Sequence, residues 1–201
     1  MTSKKTALLI GVWIPFCAAA FSDTANLPSP PFEYTRDGLL KRPKHYREWV
    51  FLTSGFDMSY SSDMQLGRHT FDNVFVDRQA YRSFLASGTW PDRTMLVIEN
   101  RGADGRGSIN KSGHYQGVKV AGLEVHLKDE ARYPGKWAFF EFGGSEPAKM
   151  IPRSEACYSC HAAHAAVDTT FVQFYPTLLP IAQTKGTLSA EYGRETMAEP
   201  K

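Results

Sequence analysis

Cysteine is scarce in this chain: 201 residues carry three, Cys17, Cys157 and Cys160. That number excludes the multi-bridge framework of small secreted scaffolds. No run of five or more like charges occurs, and 23 Lys and Arg face 21 Asp and Glu, so nothing supports a nucleic-acid partner. There is no internal repeat and no βαβ series. The apolar stretch from Ala7 to Phe16 falls well short of the roughly 20 residues needed to span a bilayer. What remains is 42% hydrophobic and 13% aromatic, enough for one domain with its own core.

Residues 1–20 read as a secretory signal peptide: Lys4 and Lys5 supply the positive start, Ala7 to Phe16 the apolar centre, and Ala18 to Ala20 a small-residue cleavage site near Ala20. Cys17 precedes that site. Pro15 and Phe16 beside it are poor residues for a lipoprotein signal. Removal of the peptide leaves 21 basic and 21 acidic side chains and only Cys157 and Cys160. Export places the mature chain in the periplasm. Residues 21–43, rich in Pro, Ser and charge, are expected to be a flexible leader, 44–182 the folded domain and 183–201 a loosely ordered polar tail.

Within the domain, YREWVFL from Tyr46 is the first expected element, and Ser59 to Thr70 a surface loop. FDNVFVD (71–77) alternates as a strand does. Asp77 is placed to cap a helix carrying Ala80, Tyr81, Phe84 and Leu85, which Gly88 stops. Strands are expected within 94–100, 115–129 and 136–142, with the Gly-rich RGADGRGSINKSG between the first two as a hairpin loop. The fold class is therefore α+β: mainly an antiparallel sheet with a few helices, and a C-terminal helical segment bearing the site.

That site is Cys157-Tyr158-Ser159-Cys160-His161. On a helical turn, two intervening residues put both sulfurs on one side, within reach of the two vinyl groups of one porphyrin, and the adjacent imidazole can turn under the iron. The pattern is the attachment signature of one covalent haem c, with His161 as the iron ligand. A thioredoxin-type pair would open a helix after a buried strand, and a zinc site lacks a second ligand pair. His164 lies on the same helical face as His161, hence on the same side of a porphyrin, and is read as a surface or haem-edge residue. His45, His69, His114 and His126 are read as surface or strand residues. Met58, Met64, Met95, Met150 and Met197 show no distal motif, so an open sixth iron position is expected.

YREWV, the 71–92 segment, GLEVHLKDEARYPGKWAFFEF and EACYSCHAAHAAVDTTFVQFYPTL together resemble the family of cytochrome P460 and its relative cytochrome c′-beta. The resemblance implies a mostly antiparallel β domain with haem held against the sheet by the C-terminal helical segment. In the P460 branch a strand lysine is bonded to the porphyrin edge and tunes the haem for hydroxylamine and nitric-oxide oxidation; the matching position here is Ile98. Lys111 sits in a Gly-rich loop unsuited to fixing such a bond. The c′-beta branch, with five-coordinate iron in an apolar pocket for small gases, is the nearer likeness. Glu124 matches a distal acidic residue that accepts protons. By alternation it shares a face with Val118, Val120 and His126, opposite Ala121, Leu123, Val125 and Leu127, and so faces either the pocket or water. Expected partners are a small diatomic or nitrogen-oxide ligand, a soluble electron-transfer protein and, as among relatives, a second copy in a homodimer. Alternatives are a hydroxylamine or nitric-oxide oxidoreductase using Glu124, and a simple electron carrier.

Overall fold

The computed structural model describes residues 31–58, 69–143 and 146–198. The signal peptide, its cleavage site, the first part of the leader and most of the Ser59–Thr70 loop lie outside the described residues.

Five strands, β1 (Val50–Phe56), β2 (Thr70–Val76), β3 (Met95–Asp104), β4 (Tyr115–Lys128) and β5 (Trp137–Glu141), form one sheet in chain order, every neighbouring pair antiparallel. A short 3₁₀ turn, Tyr46–Glu48, precedes β1. Among the described residues the helices are α1 (Arg78–Ser87), between β2 and β3, and α2 (Ala156–His164), α3 (Leu179–Lys185) and α4 (Ala190–Ala198) after the sheet. The class is α+β, as expected.

Local chemistry explains α1. Asp77 Oδ1 accepts from the Ala80 amide at 2.8 Å, relieving an end amide, and Gly88 closes the helix in the left-handed region at φ 77°. Ala80 and Phe84, four residues apart, are its buried stripe, and Phe84 meets Trp90 with ring centroids 4.4 Å apart.

Alternation along β3 divides the interior. Met95 and Val97 point into one cluster with Leu123, Val125 and Leu127, whereas Leu96 and Ile98 belong to the other, with Val74, α1 and the C-terminal segment. In the first cluster Glu99 is also buried, held by Tyr46, Arg47 and Arg101. Burial pushes its carboxyl up, but these three donors outweigh burial and hold it below the ordinary range. The YREWV opening is thus partly a clasp on a buried carboxylate.

Three expectations are corrected. Residues 31–43 do not trail as a flexible leader: Phe32 and Leu40 are 4% and 0% exposed, and Leu40 bridges to both Tyr34 and Ala148. Their apolar side chains pack with Met95, Val97, Leu123, Val125 and Leu127 on one face of the sheet, while Arg93 and Arg132 lie over the Phe32 and Tyr34 rings. The tail is not loosely ordered through residue 198, because α4 packs on α2 and Ser189 bonds the Ala165 and Ala166 carbonyls at 2.7 Å each. Finally, the β3–β4 register shifts between Asn100 and Arg101, so Ala121 falls at a bulge and is exposed. The continuous apolar face of β4 therefore starts at Leu123.

Candidate functional site

The sheet face carrying Ile98 and the C-terminal segment enclose a cavity of about 670 Å³, within the usual span of small-molecule pockets. Ile98 on β3 and Glu124 on β4 are register partners, and both line it, as does His161 from α2. Glu124 lines the cavity and is exposed to solvent there, so both alternatives describe its position. Its Oε1 accepts from Asn100 Nδ2 at 2.7 Å. Asp72, opposite Asn100 on β2, lines the same wall, and burial, then Glu124 and Asp57, push its carboxyl up to about 6.

Cys157 and Cys160 lie one helical turn apart on α2, half-buried, with no disulfide between them. Burial raises both thiols above their ordinary range. His161 Nδ1 lies 2.7 Å from the Thr169 carbonyl oxygen. A carbonyl only accepts, so Nδ1 carries the proton and Nε2 is the basic nitrogen of the ring. Burial lowers the His161 pKa and keeps the imidazole neutral, the form that binds metals. Its ring packs among Phe139, Phe171 and His126, with centroids 4.6, 4.3 and 5.0 Å away.

A model for the cytochrome P460 family matches residues 43–172, more than half of the chain and every strand of the sheet. The chain belongs to the cytochrome P460 family. Membership makes it a cytochrome of the c type and implies a haem cofactor. No curated protein matches it. The residues fit that group: a large, partly apolar cavity, a neutral imidazole of fixed tautomer on its wall, and two unpaired thiols on the helix that carries the imidazole.

The remaining candidates are dispersed. Lys111 is exposed in the connection between β3 and β4, away from the cavity wall. His45 pairs with Glu48, His69 with Asp57, and His114 stacks on Phe56, all outside the cavity lining. Met95 is core and Met197 is exposed, while Met58 lines the cavity. Met64 lies outside the described residues.

Several contributors escape the sequence reading, Asp72 and Asn100 on the sheet wall among them. His126 is a strand residue but not a surface one: it is 3% exposed, stacks on Phe139 at 4.1 Å and leaves Nε2 without a partner, and burial drives its pKa well down. Its place two residues beyond Glu124 was the available signal. From the supposed tail, Tyr192, Glu195 and Thr196 line the cavity, and Glu195 Oε1 lies 3.1 Å from His164 Nδ1. No periodic apolar run marks α4 in advance.

Proposed function

We propose that this is an exported, periplasmic cytochrome with one haem c bound through Cys157 and Cys160, iron ligated by His161, and a cavity that receives nitric oxide or a similar small ligand. The observation carrying this reading is the Thr169 carbonyl on His161 Nδ1, which reserves Nε2, on a cavity-lining side chain, for a metal. When bound, the haem supplies an iron centre able to take small ligands and exchange single electrons.

The protein's own residues favour ligand binding over hydroxylamine oxidation. Ile98 stands where the P460 branch has its bonding lysine, and no lysine lines the cavity among the described residues. Val74, Leu96 and Ile98 give the wall an apolar patch that excludes water from a small uncharged ligand. Glu124, oriented by Asn100, offers a proton acceptor at the same wall.

One observation favours a second reading, electron carriage: the Met58 thioether lines the cavity and is a sixth-ligand type for haem iron. Intact mass and a reduced-state absorption spectrum, with and without nitric oxide, separate these. The expected result is the mature polypeptide plus one haem, a five-coordinate spectrum and a nitric-oxide adduct. A bare polypeptide mass rejects the haem assignment. A six-coordinate low-spin spectrum that Met58→Ala converts to an open one selects electron carriage instead.

A further inference from the structure

Behind His161, outside the cavity wall, a buried cation is tied to the same piece of backbone. Lys128, the last residue of β4, is 5% exposed, and its ammonium donates to the Trp90 carbonyl and to Asp168 Oδ2, both at 2.7 Å. Burying an ammonium is costly unless it is paired and hydrogen-bonded, so its position is set chiefly by those two acceptors, with Glu130 Oε1 a longer contact at 3.4 Å.

Asp168 and Thr169 are the central residues of a tight turn whose flanks, Val167 and Thr170, form an antiparallel bridge. Their φ angles, 48° and 61°, put both in the left-handed region. Two positive φ angles in a two-residue connection define a type I′ turn, normally filled by Asn-Gly, and a β-branched threonine there is strained. Such a conformation persists only where its surroundings over-determine it. Here they do: Lys128 holds Asp168, and Trp90 Nε1 donates to Thr170 Oγ1 at 2.7 Å. Trp90 thus joins both ends of the arrangement, its carbonyl on Lys128 and its indole on Thr170. The product of the strained turn is the direction of one carbonyl, that of Thr169, which receives the His161 Nδ1 proton.

We infer that Lys128 and Asp168 are positioning residues for His161: their ion pair holds the Asp168–Thr169 turn in its left-handed form, and so fixes the Thr169 carbonyl on the imidazole. This rests on the reading of His161 as the iron ligand. An acceptor on Nδ1–H makes Nε2 a stronger donor, which favours the more positive, oxidised iron. Slackening the turn therefore weakens the iron–imidazole bond and raises the reduction potential.

The test uses the exported, haem-loaded full-length protein. Intact mass is measured first, then the reduction potential and the iron–histidine stretching frequency of the reduced form. Asp168→Ala, which removes the carboxylate that Lys128 holds and places a side chain that disfavours the left-handed region, is expected to raise the potential and lower the frequency. Lys128→Met should do the same, and Lys128→Arg should return both toward wild type. Glu130→Gln, which removes a carboxylate 3.4 Å from the Lys128 ammonium but not from the turn, should leave both unchanged. If Lys128→Met fails to accumulate folded, Asp168→Ala decides alone. A fully loaded Asp168→Ala protein with unchanged potential and frequency overturns the inference, even if it melts earlier, because a purely structural pair would do only that. A wild type lacking the haem mass instead overturns the cofactor reading, and this inference falls with it.

Discussion

Glu99 and Asp72 occupy neighbouring register positions on adjacent strands, since Asn73 pairs with Glu99 and Asp72 with Asn100, yet the sheet turns them to opposite faces. Glu99 enters the closed cluster covered by residues 31–43 and is met there by Tyr46, Arg47 and Arg101, which hold its carboxyl below the ordinary range against the effect of burial. Asp72 enters the cavity wall, where burial and then two further carboxylates, Glu124 and Asp57, push it up to about 6. One face spends its polar groups on satisfying a charge. The other keeps polar groups imperfectly satisfied, including Asn100 Oδ1 and His126 Nε2, neither of which has a partner. Among the described residues no buried side-chain polar atom of the Glu99 cluster lacks a partner, and incomplete satisfaction on the cavity face is what a binding wall looks like when a closed core lies behind it.

The variant with the largest expected effect breaks the cavity side outright. Replacing Cys157 and Cys160 by Ala should abolish the haem-sized mass increment while leaving the Glu99 face intact, read by intact mass and by circular dichroism of the sheet. Next comes Glu99→Gln, expected to cost about 2–3 kcal/mol at neutral pH, since it removes charge from a buried, donor-rich site. Because the folded carboxyl titrates below its unfolded value, this contribution is present above pH 4.5 and is lost as pH falls through the lowered folded value; denaturant melts from pH 7 to pH 3 should show wild type and variant converging.

Asp72→Asn should carry the opposite sign. Its folded carboxyl is raised to about 6, so ionisation opposes folding above that value and has no effect below the unfolded value of 3.8. The variant should match wild type near pH 4 and exceed it near pH 8 by about 1 kcal/mol, well under the full linkage value because the side chain is part-exposed. Equal pH slopes for the two variants would remove the distinction between the faces. The smallest effect belongs to Glu195→Gln, which takes the charge out of the partly exposed contact with His164 on the α2–α4 side and should cost about 0.5 kcal/mol or less, fading with added salt.

Legibility followed the range of the interactions involved. β2, α1 and β5 were readable because alternation, the Asp77 cap and the Gly88 stop are local signals. The Cys157–Cys160–His161 spacing was readable for the same reason: its chemistry lies within one helical turn. Phe32 and Leu40 were not, because a Pro-rich, charged segment carries no period that announces which distant face it covers. Nor was the bulge at Ala121, which arises in pairing with β3 rather than in β4 itself. α4 has no buried residue and is placed by contacts such as Ser189 with Ala165 and Glu195 with His164.

By itself, then, the order of residues determined an antiparallel α+β domain and a thiol–thiol–imidazole cluster near its C-terminus, since both are written in spacings shorter than a few turns of helix or strand. Only the tertiary structure decided which carboxylates face the cavity, that His126 is buried beside His161, and that a strained turn anchored by Lys128 fixes the imidazole. Those outcomes depend on packing between segments dozens of residues apart, where burial, not local propensity, sets the energy.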